Sequence, residues 1–304
     1  MSAFYRKLAA AAAALAFLTC LAGSAAAKDP VYEGAGVSAG AFASNGVGAR
    51  SRALGQSYVS VADDCNSVYW NPAGLTGVRN LQVDTMRSSL FMDDLYYNYF
   101  GAAKNFQKFT LGAGVIILSV DGIEKYSDGT YLGDMSGRES GLIFSIGIPA
   151  GGGVNIGASI KGLSQEYGDF RALGFGADVG LKINILKNIN FGLAMQDIIG
   201  PRLQLVTGGN VSVVPLKIRA GFSAGLFDRI TVSLEVHKQS GYDRFFIRSG
   251  AEYKVMDGLY LRGGVDDMKI TAGAGIIVNI FSFDAAYVTG DLRDNYYFSM
   301  GLRL

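Results

Sequence analysis

Segments of about ten residues in which apolar and polar side chains take strict turns dominate this chain. Ile230, Val232, Leu234 and Val236 alternate with Thr231, Ser233, Glu235 and His237. Leu216, Ile218, Ala220, Phe222, Ala224 and Leu226 alternate with Lys217, Arg219, Gly221, Ser223 and Gly225. Leu173 to Asn184 and Phe245 to Lys254 repeat the pattern. A period of two sends successive side chains to opposite faces of a β-strand. Beyond the first residues, no stretch approaches the ~18 apolar residues of a membrane helix. Helices and closed barrels are the only backbones that satisfy their own hydrogen bonds in lipid. Strands of this length therefore point to a membrane barrel, with a secreted β-sandwich as the soluble alternative.

The N-terminus favours the barrel. Arg6 and Lys7 precede an apolar stretch from Leu8 to Leu21, and Ala25-Ala26-Ala27 offers a small-residue cleavage site. That order reads as a secretory signal peptide over residues 1–27. Cys20 would leave with it. Cys65 then stands alone, cannot form an internal disulfide, and reads as a small buried apolar residue.

Fourteen strand candidates follow, near 80–90, 96–106, 108–120, 140–149, 154–164, 173–184, 189–199, 214–226, 229–239, 244–255, 259–267, 269–279, 281–290 and 295–304. Their connections fall into two alternating sets. Tight ones occur at 105–107, 150–153, 186–188, 227–228, 256–258 and 279–280. The long ones, 120–139 and 200–213, belong to the other set. Short turns on one side and longer loops on the other are the habit of outer-membrane barrels, and an even strand number puts both barrel ends together, here expected on the periplasmic side. The last strand places Phe298, Met300, Leu302 and Leu304 on one face, resembling the C-terminal signal read by the barrel-assembly machinery. The expected fold is all-β: a 14-stranded antiparallel transmembrane β-barrel over 80–304, with a short, partly helical N-terminal plug or hatch segment over 28–79.

Residues 31–79 do not alternate. Gly48-Ala49-Arg50-Ser51-Arg52-Ala53-Leu54-Gly55 is followed by Val61-Ala62-Asp63-Asp64 and then Tyr69-Trp70-Asn71-Pro72-Ala73-Gly74-Leu75. Leu54, Tyr58, Val61, Ala62, Cys65, Val68 and Tyr69 recur at helical spacing, and Asn71-Pro72 ends that pattern. The whole motif resembles the N-terminal segment of PorV/PorQ-family outer-membrane proteins, which are related to the FadL-like transporters of long-chain fatty acids and other hydrophobic compounds. The resemblance implies a plug inside the barrel. It carries Arg52, Asp63, Asp64, Trp70, Asn71, Pro72 and Ala73 as its motif residues.

Inside such a barrel the polar face lines the lumen. Lys161, Lys182, Lys217, Arg219, His237, Arg248 and Arg262 are matched there by Asp178, Glu235, Glu252, Asp266 and Asp284. Mixed signs suggest salt-bridged ladders rather than a selectivity ring. No G-x-S-x-G or H-E-x-x-H occurs, so no enzyme is expected. One His and 2 Cys leave no zinc constellation, and a net charge of +1 gives no basic footprint for nucleic acid. No metal and no cofactor is expected. The expected place is the cell outer membrane. The expected partners are outer-membrane lipid, the barrel-assembly machinery, and either hydrophobic small molecules or secretion partners. Three functions stay open: passage of small hydrophobic molecules, a secretion-associated or structural role that binds protein partners, and a general porin.

Overall fold

The computed structural model describes residues 40–90, 95–168, 170–205, 211–290 and 293–304. The signal peptide expected over 1–27 and the first part of the plug segment lie outside the described residues.

The strands run β1 (Leu81–Ser89), β2 (Leu95–Asn105), β3 (Thr110–Ser127), β4 (Thr130–Gly151), β5 (Val154–Tyr167), β6 (Phe170–Leu186), β7 (Ile189–Ile199), β8 (Arg202–Leu205), β9 (Val211–Val213), β10 (Lys217–Leu226), β11 (Ile230–Gln239), β12 (Phe246–Met256), β13 (Leu259–Asp266), β14 (Lys269–Val278), β15 (Phe281–Val288) and β16 (Asn295–Arg303). Each pairs antiparallel with its neighbours, β1 with β16, and β7 with β10. The chain of pairings closes, and the small β8–β9 hairpin is a side branch on β6. Fourteen strands make the barrel, as the alternation and the turn lengths predict.

Closure explains why the pattern is so regular. A closed sheet has no edge to leave unpaired, and its outer face meets hydrocarbon. Phe100, Phe144, Phe175, Phe222, Ile247 and Phe298 accordingly stand outward and exposed. Among the described residues no helix is long and apolar enough to cross a membrane. The backbone N–H of Leu304 donates to the carbonyl of Leu81 at 2.8 Å, so both barrel ends share one rim, here called the seam end. All six tight turns of the sequence pattern lie at that rim.

Two connections differ from expectation. The polar stretch 120–139 is mostly strand rather than loop. β3 and β4 pair out to Ser127 and Thr130 and form a ribbon beyond the opposite rim, the far end. Its residues are exposed on both faces, which hides the period of two. The stretch 200–213 holds β8 and β9, which prolong β7 and β10 past a kink. Asp197 sits there with a positive φ of 63°, and the β6–β7 register slips between Ala177 and Val179.

Candidate functional site: the plug and the lumen wall

The described plug begins at Gly40 near Leu163 and Val214, toward the far end, and runs down to Asn80 at the seam end. Its elements are short: a 3-10 turn Ala41–Ser44, helices Ala49–Ala53 and Ser67–Trp70, and a 3-10 turn Pro72–Gly77. The helical spacing over 54–69 does not make one helix. Gly55 and Gln56 take positive φ values of 61° and 59°, which turns the chain out of helical geometry. Backbone groups then find partners on the wall. The N–H groups of Tyr58 and Val59 donate to Glu235 Oε2 at 3.0 and 2.9 Å. Ser233 Oγ donates to the Ser57 carbonyl, Thr271 Oγ1 to Ala53, and Gln196 Nε2 to Tyr69.

Wall glycines make room for this. Gly147, Gly157 and Gly180 are cross-strand neighbours on β4, β5 and β6, and all face inward. A Cβ on Gly157 would stand 2.7 Å from the Pro72 carbonyl oxygen and closer still to other backbone atoms. One on Gly147 would stand 2.8 Å from the same oxygen, and one on Gly180 2.9 Å from Pro72 Cδ. This bare row receives Asn71-Pro72-Ala73. A second pair, Gly250 and Gly264, meets the backbone of Leu54 and Gly55 in the same way. A strand glycine marks where another backbone comes close.

Asn71 locks the tripeptide. It is fully buried, and its Nδ2 donates to the carbonyls of Val59 at 2.9 Å and Leu181 at 3.1 Å. Its Oδ1 accepts from the N–H of Ala73 at 3.1 Å, capping the following 3-10 turn. Trp70 is also fully buried, donates to the Val47 carbonyl at 2.8 Å, and lies beneath the Arg219 guanidinium at 4.8 Å.

Charged side chains tie plug to wall and strand to strand. Arg50 pairs with Asp63 at 2.7 Å and Glu252 at 3.0 Å, and stands 3.7 Å from Asp64. Arg262 continues the chain to Glu252 at 2.7 Å and Asp284 at 2.6 Å. A second network joins Arg248 to Asp266 at 2.7 Å and Arg219 to Glu235 at 3.4 Å. A third places Lys161 2.7 Å from both Asp178 and Asp197, with Lys217 4.0 Å from Asp197.

Above the third network the lumen changes character. Toward the far end the inward side chains include Leu90, Leu95, Leu163, Ala172, Leu203, Val214 and Val288, with Phe42 of the plug at their base, all buried in one apolar cluster. Beside them is a buried Glu139 that accepts from Gln165 Nε2 and the Tyr167 hydroxyl. Between this collar and the Lys161–Asp197 network lies a cavity lined by Ala43, Tyr69, Ile116, Ile143 and Leu163 on its apolar side. Its room is about 10 Å³, the space of a single water.

No protein-family model matches the chain, and no curated protein matches it. Solved structures do. The toluene transporter TbuX of Ralstonia pickettii superposes with a TM-score of 0.64 at 16% identity, over 85% of this chain and 98% of that one. A TodX deletion mutant, a monoaromatic hydrocarbon channel, gives 0.64 at 14%, over 85% and 99%. A FadL homologue of Pseudomonas aeruginosa gives 0.56 at 12%, over 83% and 97%.

The fold is FadL-like.

Within this FadL-like frame the charged residues named above lie on the inner face of their strands. Lys161, Asp178, Lys182, Lys217, Arg219, Glu235, His237, Arg248, Glu252 and Arg262 are nearly or wholly buried, and Asp266 and Asp284 are largely so. Most form the expected ladders. Two depart from them. Lys182 donates to the Ala62 carbonyl at 2.5 Å rather than to a carboxylate. His237 stacks on Phe246 at 5.4 Å, and neither ring nitrogen has a hydrogen-bond partner among the described residues. The plug motif also divides differently from the sequence pattern. Arg50, not Arg52, holds Asp63 and Asp64. Arg52 instead lies over the Tyr297 ring at 4.5 Å and donates to its hydroxyl at 2.9 Å. Arg50, Asp197 and Gln196 make contacts that the sequence pattern does not single out. Arg50 shares the G-A-R-x-R motif with Arg52, and nothing in that motif separates their partners. Asp197 breaks the strand alternation at its bulge, a signal that points to it only once β6 and β7 are known to be neighbours.

Proposed function

We propose that this protein is an outer-membrane channel for small hydrophobic molecules. The apolar collar carries this reading. A porin lumen is polar and water-filled, whereas the far half of this lumen is lined mainly by leucine and valine, with one buried polar group at Glu139, and is closed below by the plug. A hydrocarbon entering it from water would trade hydration for apolar contact. The toluene and monoaromatic channels that share the fold support the same substrate class. The cavity beneath the collar is too small for such a guest, so passage requires a rearrangement there. The kink between β7 and β8 stands beside it. Pro201 packs against Gly176 at this break, and a Cβ on Gly176 would come within 2.6 Å of the Pro201 ring. Movement of Pro201 would open the wall sideways toward the lipid, past the plug rather than through it.

The test is uptake of a small aromatic hydrocarbon by cells with the gene deleted and then restored. Restored cells should take it up faster, and restoration with Leu203→Lys should not. Equal uptake in all strains would refute the channel. Planar-bilayer conductance separates the porin reading, since a sutured plug should pass little ion current.

A second reading follows from the resemblance of the plug motif to PorV/PorQ proteins. The β3–β4 ribbon presents Tyr126, Tyr131 and Leu132 exposed at its tip, a surface suited to a protein partner. Crosslinking from this tip in cells that recovers only the monomer would count against it.

A further inference from the structure

The outer wall carries one feature that the lumen does not explain. Five strands, β13, β14, β15, β16 and β1, form a groove of about 460 Å³ on the face turned to lipid. Ala274 and Ala285 are its floor. Ile276, Phe283, Phe298 and Met300 are its walls, and all four are exposed. The depression arises because two small outward residues pair with each other among large ones.

Arg87 lies at the edge of this groove and points outward, on the same cross-strand row as Phe298, Ala285 and Ala274. Among the described residues no carboxylate pairs with it. Its guanidinium rests on the Tyr96 ring at 4.7 Å. The row one pleat nearer the far end holds Tyr287 and Tyr296, whose rings stand 5.5 Å apart. Tyrosines at this height mark the level of the lipid headgroups. A cation one pleat inside that belt faces hydrocarbon on one side and headgroups on the other. With no carboxylate beside it among the described residues, it weakens the wall, and an anion in the headgroup layer relieves it.

We propose that this groove binds one anionic phospholipid, with an acyl chain over Ala274 and Ala285 and the phosphate of its net-negative headgroup on Arg87. Hydrophobicity does not drive this binding, because the chain leaves hydrocarbon for hydrocarbon. Close packing against the bare alanines and the charge contact supply the preference. The neighbouring Thr85 hydroxyl is already committed to the Tyr99 carbonyl at 3.1 Å, so Arg87 alone reads the headgroup.

The test uses the full-length folded protein in mild detergent, given phosphatidylglycerol or phosphatidylcholine, with bound lipid counted by native mass spectrometry. The wild type should retain one phosphatidylglycerol, preferred by roughly fivefold, the effect of one basic residue near the headgroups. Arg87→Gln should erase the preference. Ala285→Phe, which fills the floor, should lower retention of both lipids. Arg171→Gln, an exposed arginine elsewhere on the wall, should change neither. An undiminished preference in Arg87→Gln overturns the headgroup assignment, and undiminished retention in Ala285→Phe overturns the groove. Should Ala285→Phe not fold, Ala274→Leu replaces it with the same two outcomes. Neither result bears on what the lumen carries.

Discussion

Substituting Gly157 by alanine tests whether the plug is seated in the glycine row. The new Cβ would stand 2.7 Å from the Pro72 carbonyl oxygen, where ordinary contact begins near 3.4 Å. The nearer atoms are backbone, so neither side can yield by turning a side chain. The tripeptide must move by about 1 Å. Overpacking of this kind costs about 1–3 kcal/mol. The same shift stretches the 3.1 Å bond from Asn71 to the Leu181 carbonyl, worth about 1 kcal/mol. Alanine gains back roughly 0.5–1 kcal/mol in backbone entropy, which is too little to compensate. The net loss is about 1–3.5 kcal/mol. Trp70 is the only tryptophan, is fully buried, and adjoins Asn71, so its fluorescence reports the seat directly. Gly157→Ala should shift its emission to the red and admit acrylamide quenching, while far-UV circular dichroism keeps the barrel signal. Gly162→Ala is the control, on the same strand but with nothing nearer than the Phe175 ring at 3.5 Å. If Gly157→Ala matches Gly162→Ala in quenching and in denaturation midpoint, the plug does not rest in this row.

Other outcomes follow from the same contacts. Asn71→Ala removes three buried hydrogen bonds and should cost about 2–4 kcal/mol, measured as a lower denaturant midpoint of Trp70 fluorescence. Glu235→Ala strands two plug N–H groups and leaves Arg219 without its carboxylate, so about 3–5 kcal/mol should be lost, with Glu235→Gln milder in the same assay. Removing residues 123–135 at the ribbon tip should leave the heat resistance of the barrel unchanged, because those residues pair only with one another.

The barrel was legible because lipid and lumen impose opposite demands on alternate residues. Phe222 beside Gly221, or Ile247 beside Arg248, states the face of each side chain without any tertiary knowledge. The plug was legible as a motif but not as a path. From Val47 to Leu75 nearly every residue is buried on all sides, so no face stands out and the spacing from Leu54 to Tyr69 imitates a helix. The wall, not the segment itself, decides where its backbone bonds go. The ribbon of β3 and β4 failed in the opposite sense, since full exposure erases alternation as surely as full burial. The lumenal charges were placed on the right face, but their partners depended on which strands adjoin, as Asp197 beside Lys161 shows.

The glycine rows also bear on how the molecule is assembled. Gln82 of the first strand pairs with Arg303 of the last, a contact spanning almost the whole barrel sequence. Contacts so distant along the chain form slowly. The plug is bonded to β7, β11, β14 and β16 at once, through Gln196, Glu235, Thr271 and Ser299. Threading it into a finished cylinder would drag side chains past the tight rows. Strands that close around a segment already laid down, as around a mandrel, avoid that passage. On refolding, Trp70 burial should precede the heat resistance that comes only when the first and last strands zip together.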